Sequence, residues 1–143
     1  MEKRILALDI GDRRIGVAVT DPFNSYALPA ETYRRTGDLV ADVGAMAKAA
    51  KDRGAGLIVC GLPLNADGTE SAQTEKTRRF IEKLQEAAGM PVICEDERFT
   101  SIAAHDTLHE GGVKAEKHKK SVDAVAAAYI LEGYLARKER ANK

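Results

Sequence analysis

Two observations predict that this 143-residue chain folds as an α/β protein with a five-stranded mixed sheet and helices on both faces. First, three strand patterns follow one another at the start of the chain with no helical pattern between them, which indicates an antiparallel meander. Second, two later apolar runs alternate with helical patterns, and right-handed crossovers between such runs produce parallel strands. The length suits a single domain, residues 1–143, with one core.

The predicted meander begins with residues 4–10 ("RILALDI") and 15–20 ("IGVAVT"), two strands joined by the polar turn "GDRR". A third strand is expected near residues 25–31. Asp9 lies near the end of the first strand, inside an apolar run. An ionised carboxylate is costly to bury, so Asp9 is either a core acid paired with an arginine or a functional residue, and we favour the second interpretation.

Helices and parallel strands alternate after the meander. Residues 38–52 have apolar side chains at helical spacing, which predicts a helix with Thr36 as its N-cap and Gly54 at its end. The run "GLIVCG" then predicts a buried parallel strand. A second helix is expected over roughly 70–87, followed by the fifth strand at "VIC".

The last third of the chain predicts two more helices. One covers 100–110 and ends at the doublet Gly111-Gly112, which is followed by a lysine-rich segment. The final helix is expected to begin at Ser121, which places Asp123 in its first turn. An acid there is favoured by the helix dipole alone, but Asp123 also lies on the same face as Ala127 and Ile130 and therefore points to the interior. The alanine-rich part of this final helix could pack on the sheet or on a second subunit.

Composition excludes several classes of protein. The 22 Lys and Arg residues balance the 22 Asp and Glu residues, so a polyanion site would have to be a local patch. No run of about 18 apolar residues is present, so we expect no membrane insertion. Cys60 and Cys94 each end an apolar run, which predicts buried thiols in a reducing, cytoplasmic environment.

Acidic residues are expected to meet at one edge of the sheet, because ligand sites lie at the carboxyl ends of parallel strands. Asp9 and the stretch "EDERFT" (95–100) reach this edge, and Asp123 comes from the last helix. Three carboxylates from distant parts of a chain suit Mg²⁺ or Mn²⁺ and hence phosphodiester chemistry. Sequence spacing alone does not choose among the three acids of "EDERFT".

Basic residues flank these acids. Most charged runs are solvated surface, but a lysine cluster immediately before a candidate metal ligand favours contact with nucleic-acid phosphates. The predicted phosphate-binding side chains are Arg13, Arg14, Arg98, Lys114, Lys117, Lys119 and Lys120.

Four stretches together resemble a known family. "LALDIGDRRIGVAVTD", "GLPLNADGTES", "DERFTS" and "KSVDAVAAAYILEGYL" occur in the order found in the YqgF/RuvX family of pre-16S rRNA nucleases, which is related to Holliday junction resolvases. The resemblance covers essentially the whole chain. It implies a ribonuclease H-like fold and 5′-end processing of pre-16S rRNA in ribosome biogenesis.

The resemblance also implies which residues form the site. It implies that Asp9, Glu97 and Asp123 are the catalytic, metal-binding residues. It thereby selects Glu97 over Glu95 and Asp96. It also implies that Asn65 contacts the substrate. The chain departs from the related resolvases in one respect. Those enzymes have a second carboxylate immediately after strand four, whereas "GLPLNADG" has no acid there, so Glu97 would have to replace it.

Three functional classes follow from the sequence. The first is a Mg²⁺- or Mn²⁺-dependent nuclease that acts on precursor rRNA or, as an alternative, on branched DNA, whose two-fold symmetry would favour a homodimer. The second is an ATP-binding module, since "DIGDRRIGVAV" resembles the phosphate loop of actin and sugar kinases, but that architecture needs two such domains. The third is a noncatalytic RNA-binding assembly factor. The three carboxylates favour the nuclease.

Overall fold

The computed structural model describes residues 3–98 and 115–141, and only the backbone of 115–121. Within these residues the strands are β1 (Arg4–Ile10), β2 (Arg14–Thr20), β3 (Ala27–Arg34), β4 (Ala55–Leu62) and β5 (Val92–Asp96). They form one mixed sheet in the order β3-β2-β1-β4-β5. The first three strands are antiparallel neighbours, whereas β1, β4 and β5 are parallel. The predicted α/β fold and the five-stranded mixed sheet are confirmed.

Helices pack on both faces of this sheet. In the described part of the chain they are α1 (Leu39–Asp52), α2 (Ala72–Ala87) and α3 (Ala115–Ala141). Leu6 and Leu8 of β1 belong to the core formed with α1 and α2, whereas Ile5 and Ala7 pack beneath α3. Because side chains alternate along a strand, Asp9 lies on the α3 face and its neighbour Ile10 on the opposite face.

The start of α1 differs from the prediction. Its N-cap is Asp38, whose carboxylate accepts a hydrogen bond from the Val40 amide at 3.1 Å, so the expectation that Thr36 caps the helix is wrong. The Thr36 hydroxyl instead donates to Asp42 and accepts a bond from the Asp38 amide. Gly54 follows the C-cap residue with a φ of 73°, a left-handed conformation that suits glycine and agrees with its predicted role.

Helix α3 begins six residues earlier than predicted, at Ala115 and not at Ser121. No glycine or proline separates Gly112 from Ser121, so the lysine-rich segment continues the helix. Asp123 is therefore the ninth residue of α3. The helix dipole favours an acid only in the first turn, and Asp123 lies beyond that turn. The helix packs on its own sheet through Ala124, Ala127 and Leu131, all of which are buried.

Smaller differences concern edges of elements. β3 extends three residues beyond the predicted end, and β5 continues through Asp96. Cys60 is buried as predicted, but Cys94 is exposed because β5 is an edge strand. The predicted helix over 100–110 lies outside the described residues. Among the helices that the structure describes, none has the length and apolar character to span a membrane.

Candidate active site at the carboxyl edge of the sheet

Asp9 occupies the end of β1 on the face covered by α3. It pairs in the sheet with Gly16 of β2, and its own side chain is partly buried. The edge on which it lies is the carboxyl end of the parallel strands β1, β4 and β5. This is the position at which α/β sheets bind ligands.

Gly16 determines how closely α3 approaches Asp9. A Cβ atom at residue 16 would overlap the backbone carbonyl oxygen of Asp123, so the helix contacts the sheet where glycine leaves room. Since Gly16 is the direct sheet partner of Asp9, this close approach brings Asp123 beside Asp9. The glycine thus positions the helix against the sheet.

Gly61 has a similar function for Glu97. A Cβ atom at residue 61 would overlap Oε2 of Glu97 and Cδ1 of Ile130, so the carboxylate of Glu97 lies over the end of β4. Glu97 follows β5 directly, and its amide donates to the carbonyl oxygen of Leu62 at 3.3 Å. Glu97, which follows β5, therefore fills the space next to β4. This is the position that Glu97 must reach if it replaces the carboxylate missing after β4.

The other two acids of "EDERFT" have separate partners. Glu95 is buried and accepts hydrogen bonds from Nε and Nη2 of Arg137, the first at 3.1 Å. Asp96 accepts a bond of 2.7 Å from Nη2 of Arg98, and this partner lowers the pKa of Asp96. The three neighbouring acids are thus distinguished by their surroundings, and Glu97 is the one whose electrostatic neighbours include Asp9.

Burial and mutual repulsion raise the pKa values of two of the acids. Burial, and then the charge of Asp123, raise the pKa of Asp9 to about 6. Burial, followed by the charges of Asp9 and Asp96, raises the pKa of Glu97 to about 7. The three predicted catalytic residues therefore form one electrostatically coupled group. The charge of Asp123 acts on the pKa of Asp9, and the charge of Asp9 acts on the pKa of Glu97.

Asp123 has a cationic partner in the hairpin. Arg14 Nε lies 2.9 Å from Asp123 Oδ2, and the Asp123 side chain is 25% exposed. Among the side chains of residues 3–98 and 122–141, no three His, Cys, Asp or Glu are grouped closely enough to hold a metal ion. The acids are thus neighbours, with Asp123 engaged by Arg14.

Three of the other predicted phosphate-binding residues, Arg13, Asn65 and Arg98, lie in loops that follow the strands at this edge. Arg13 lies in the β1–β2 turn, where its carbonyl oxygen accepts a bond from the Arg35 amide. Asn65 donates to the Thr69 hydroxyl at 2.9 Å and stabilises the loop after β4, and Arg98 lies against Gly68 of the same loop. Lys117, Lys119 and Lys120 belong to the first turns of α3, and Lys114 lies outside the described residues.

Two residues important to this arrangement were not found from the sequence. Gly61 lies near the end of an apolar strand, on the same face as Val59, and a small residue at that position is a signal of close approach. Arg137 pairs with Glu95 across 42 positions of sequence, and nothing local in the chain indicates that contact.

Curated relatives match this chain over most of its length. A curated relative from Clostridium novyi (strain NT), named "Putative pre-16S rRNA nuclease", is 43% identical over 92% of this chain and 97% of its own length. A relative of the same name from Acetivibrio thermocellus is 41% identical over 92% of this chain and 94% of its own length. The chain thus matches such relatives over nearly their full length.

Solved structures agree on the fold. RuvC from T. thermophilus, in complex with a Holliday junction substrate, superposes with a TM-score of 0.59 over 96% of each chain at 14% identity. RuvC has a ribonuclease H-like fold, and the present sheet and helices have that fold too. The family model described as "RuvX: Holliday junction resolvase" matches residues 3–137. Together with the curated relatives, this match shows that the chain belongs to the RuvX family.

Proposed function

We propose that this chain is a divalent-metal-dependent nuclease that hydrolyses phosphodiester bonds during 5′-end processing of pre-16S rRNA in the cytoplasm. One observation above all supports the proposal. Asp9 and Glu97 lie on the α3 face of one sheet edge, together with Asp123. Burial and then the charge of Asp123 raise the pKa of Asp9, and burial and then the charges of Asp9 and Asp96 raise the pKa of Glu97. Such a concentration of carboxylate charge costs stability unless a cation compensates for it.

The donor set fits a hard divalent cation. All three side chains offer carboxylate oxygens, which Mg²⁺ and Mn²⁺ prefer over nitrogen and sulfur. Asp9, Glu97 and Asp123 would hold the metal, and release of Asp123 from Arg14 would complete the set. When bound there, the metal ion supplies Lewis acidity toward the scissile phosphate and lowers the pKa of a water molecule.

The chain's own residues would position the substrate. Arg14 is 62% exposed beside Asp123, so its guanidinium can exchange this carboxylate for a phosphate oxygen of the substrate, which it binds with the same donors. Arg13 adds positive charge in the same β1–β2 turn, and the sequence has Lys117, Lys119 and Lys120 in the first turns of α3. These cations compensate locally for a chain whose formal net charge is zero.

The names of the curated relatives favour precursor rRNA as the substrate. Their name refers to pre-16S rRNA, and the chain is similar to them over more than nine-tenths of its length. A four-way DNA junction is the second candidate, because the family model is described as a Holliday junction resolvase. On such a two-fold symmetric substrate we expect the protein to act as a homodimer.

Cleavage assays with purified protein test this proposal. A precursor 16S rRNA fragment with its 5′ extension and a four-way DNA junction would each be incubated with Mg²⁺, Mn²⁺, or EDTA. We expect metal-dependent cleavage of the RNA that Asp9→Asn abolishes, while the control variant Glu86→Gln, on the exposed part of α2, cleaves normally.

Two outcomes would contradict the proposed mechanism, and a third would contradict the proposed substrate. Cleavage that persists in EDTA would exclude the metal-dependent mechanism. RNA binding without cleavage under any metal condition would favour a noncatalytic assembly factor. Preferential cleavage of the junction would replace the rRNA substrate by branched DNA and leave the mechanism unchanged.

A further inference from the structure

A cavity of about 320 Å³ lies at the same edge of the sheet as the acids, but on the opposite face. It is lined by Ile10, by Asp12 of the β1–β2 turn, and by residues from the start of α1 and from α2. Ile10 directly follows Asp9, yet its side chain packs with the α1 and α2 core. The β1–β2 turn therefore separates this cavity from the carboxylate site.

The cavity has a cationic lining. Arg35, Lys76 and Arg79 line it, and Asp12 is its acidic lining residue. Lys76 Nζ lies 3.8 Å from Asp12 Oδ1, a loose ion pair between two exposed side chains that leaves both able to rearrange. Asp42, beneath Arg35, supplies a second negative charge, so one positive charge remains in excess. An anion is the ligand that this balance favours.

Arg35 is held in a fixed orientation. Its Nε donates to Asp42 Oδ2 at 3.0 Å, its Nη1 donates to the Gly11 carbonyl oxygen at 2.9 Å, and its guanidinium lies 5.1 Å from the centre of the Phe80 ring. A guanidinium has five N–H donors, and these two bonds use the N–H of Nε and one of the two on Nη1. Among the described residues Nη2 has no hydrogen-bond partner, so a pre-oriented donor pair is available to an oxygen-rich anion.

We propose that this cavity binds a backbone phosphate of the nucleic-acid strand, at a point where the strand has crossed the β1–β2 turn from the carboxylate site. The inference rests on the proposed function, since it takes the polyanion to be the substrate. Arg35 lines the cavity in a fixed orientation, and the exposed side chains of Lys76 and Arg79 add positive charge. Binding of this phosphate would fix the register of the strand without reading its bases.

The test uses the full chain in EDTA, where no cleavage occurs, and fluorescence anisotropy of a labelled single-stranded RNA. We expect the double variant K76Q/R79Q to weaken binding roughly tenfold and to lower the slope of log affinity against log salt by about 0.7 for each phosphate that the variant no longer binds. The matched control is K48Q/K83Q, which also removes two exposed charges, one from α1 and one from α2, both outside the cavity. Arg35 is left unchanged, since its replacement would leave the buried Asp42 carboxylate without its counterion.

Competition distinguishes the sources of a phosphate group. Inorganic phosphate and ATP would each be added to the RNA complex of the unmodified protein and of both variants. If ATP binds tightly through Lys76 and Arg79 while RNA affinity is unchanged in K76Q/R79Q, the cavity serves a free nucleotide and the proposal is wrong. Equal weakening by K76Q/R79Q and K48Q/K83Q would also overturn it, because general charge would then explain binding.

The cleavage assay separates this proposal from the proposed function. If the protein cleaves RNA with metal and K76Q/R79Q binds normally, only the cavity proposal fails. If the protein never cleaves but the cavity variant loses affinity and salt dependence, the cavity proposal is supported and the nuclease proposal fails.

Discussion

The guanidinium of Arg14 contacts the carboxylate of Asp123 with an Nε–Oδ2 distance of 2.9 Å, so one of the three clustered acids is neutralised by the β1–β2 hairpin. A cation that needs Asp123 must compete with Arg14. Conversely, a phosphate that attracts Arg14 would release Asp123 for the cation. Nucleic acid and metal are therefore expected to strengthen one another's binding, and this coupling is reciprocal.

Removing Arg14 should expose this competition. We expect Arg14→Gln to increase Mn²⁺ affinity by about threefold in the absence of nucleic acid, since an exposed ion pair of this kind stabilises by under about 1 kcal/mol. Isothermal titration calorimetry measures the change. Arg13→Gln is the control, because Arg13 lies in the same turn and has the same charge. Unchanged or weaker Mn²⁺ binding in Arg14→Gln would show that the pair does not oppose the metal.

The acids after β5 should differ in their effects. We expect Glu97→Gln to reduce cleavage at least about a hundredfold with little change in melting temperature, because its carboxylate faces Asp9. Glu95→Gln should retain most activity but melt at a lower temperature, because it weakens the buried interaction with Arg137. Cleavage rates and thermal unfolding of both variants check this. Equal losses of activity at equal stability would mean that the assignment of Glu97 is wrong.

Two glycines should respond differently to an added methyl group. In Gly16→Ala the methyl meets the backbone of α3, which can move only as a unit, so we expect a large loss of stability, several kcal/mol. In Gly61→Ala it meets the ends of the Glu97 and Ile130 side chains, which can rotate away, so we expect a smaller loss of stability but a strong loss of cleavage.

Gly44→Ala is the control for both glycine variants. Gly44 lies within α1 and has open space where a Cβ would be, so this change should stabilise the protein by up to about 1 kcal/mol. Chemical denaturation measures all three variants. A Gly16→Ala protein as stable as the unmodified chain would show that α3 does not depend on its close approach to β2.

Stability should fall in acid because of Asp42. Burial raises the pKa of this carboxyl, but bonds from Thr36, Arg35 and Tyr33 outweigh burial and lower the pKa to about 2. A group with a lowered native pKa stabilises the fold above its unfolded pKa of about 3.9, and the effect disappears as pH falls toward 2. We therefore expect roughly 2 kcal/mol of stability to disappear between about pH 4 and pH 2.

Asp42→Asn is the variant that isolates this effect. It keeps the shape of the side chain but leaves Arg35 without its counterion, so we expect a loss of about 3 kcal/mol at neutral pH and a weaker dependence on pH in the acid range. Urea unfolding at a series of pH values provides both measurements. If the variant retained the full acid sensitivity of the unmodified protein, other carboxylates would be responsible for it.

The sequence predicted the strands well because their apolar runs are short, continuous and bounded by turns. β1, β4 and both crossover helices are where the continuous apolar runs and the helical period of 3.6 place them. The start of α3 was misplaced because Ser121 has the chemistry of an N-cap, although the residues before it are equally able to form a helix. Local propensity therefore did not distinguish a helix that starts at Ser121 from one that continues through it.

The site was predictable in part. The position of Asp9 at the end of an apolar strand indicated a special residue, but spacing did not separate Glu95 from Glu97, since both lie on the same face of β5 and its extension. What separates them is Arg137, which arrives from the far end of α3. Only tertiary interactions of this kind, or a family resemblance, identify the acid that is turned toward Asp9.

The glycine near the end of β4 also limits how this site could have evolved. The volume above residue 61 holds the Glu97 carboxylate, so an acid placed at residue 61 of β4 would compete with Glu97 for the same space. The two arrangements are alternative occupants of one position in the fold. A lineage that changes from one to the other by single substitutions must pass through a site that is either overcrowded or short of one carboxylate, so the exchange requires paired changes at residues 61 and 97.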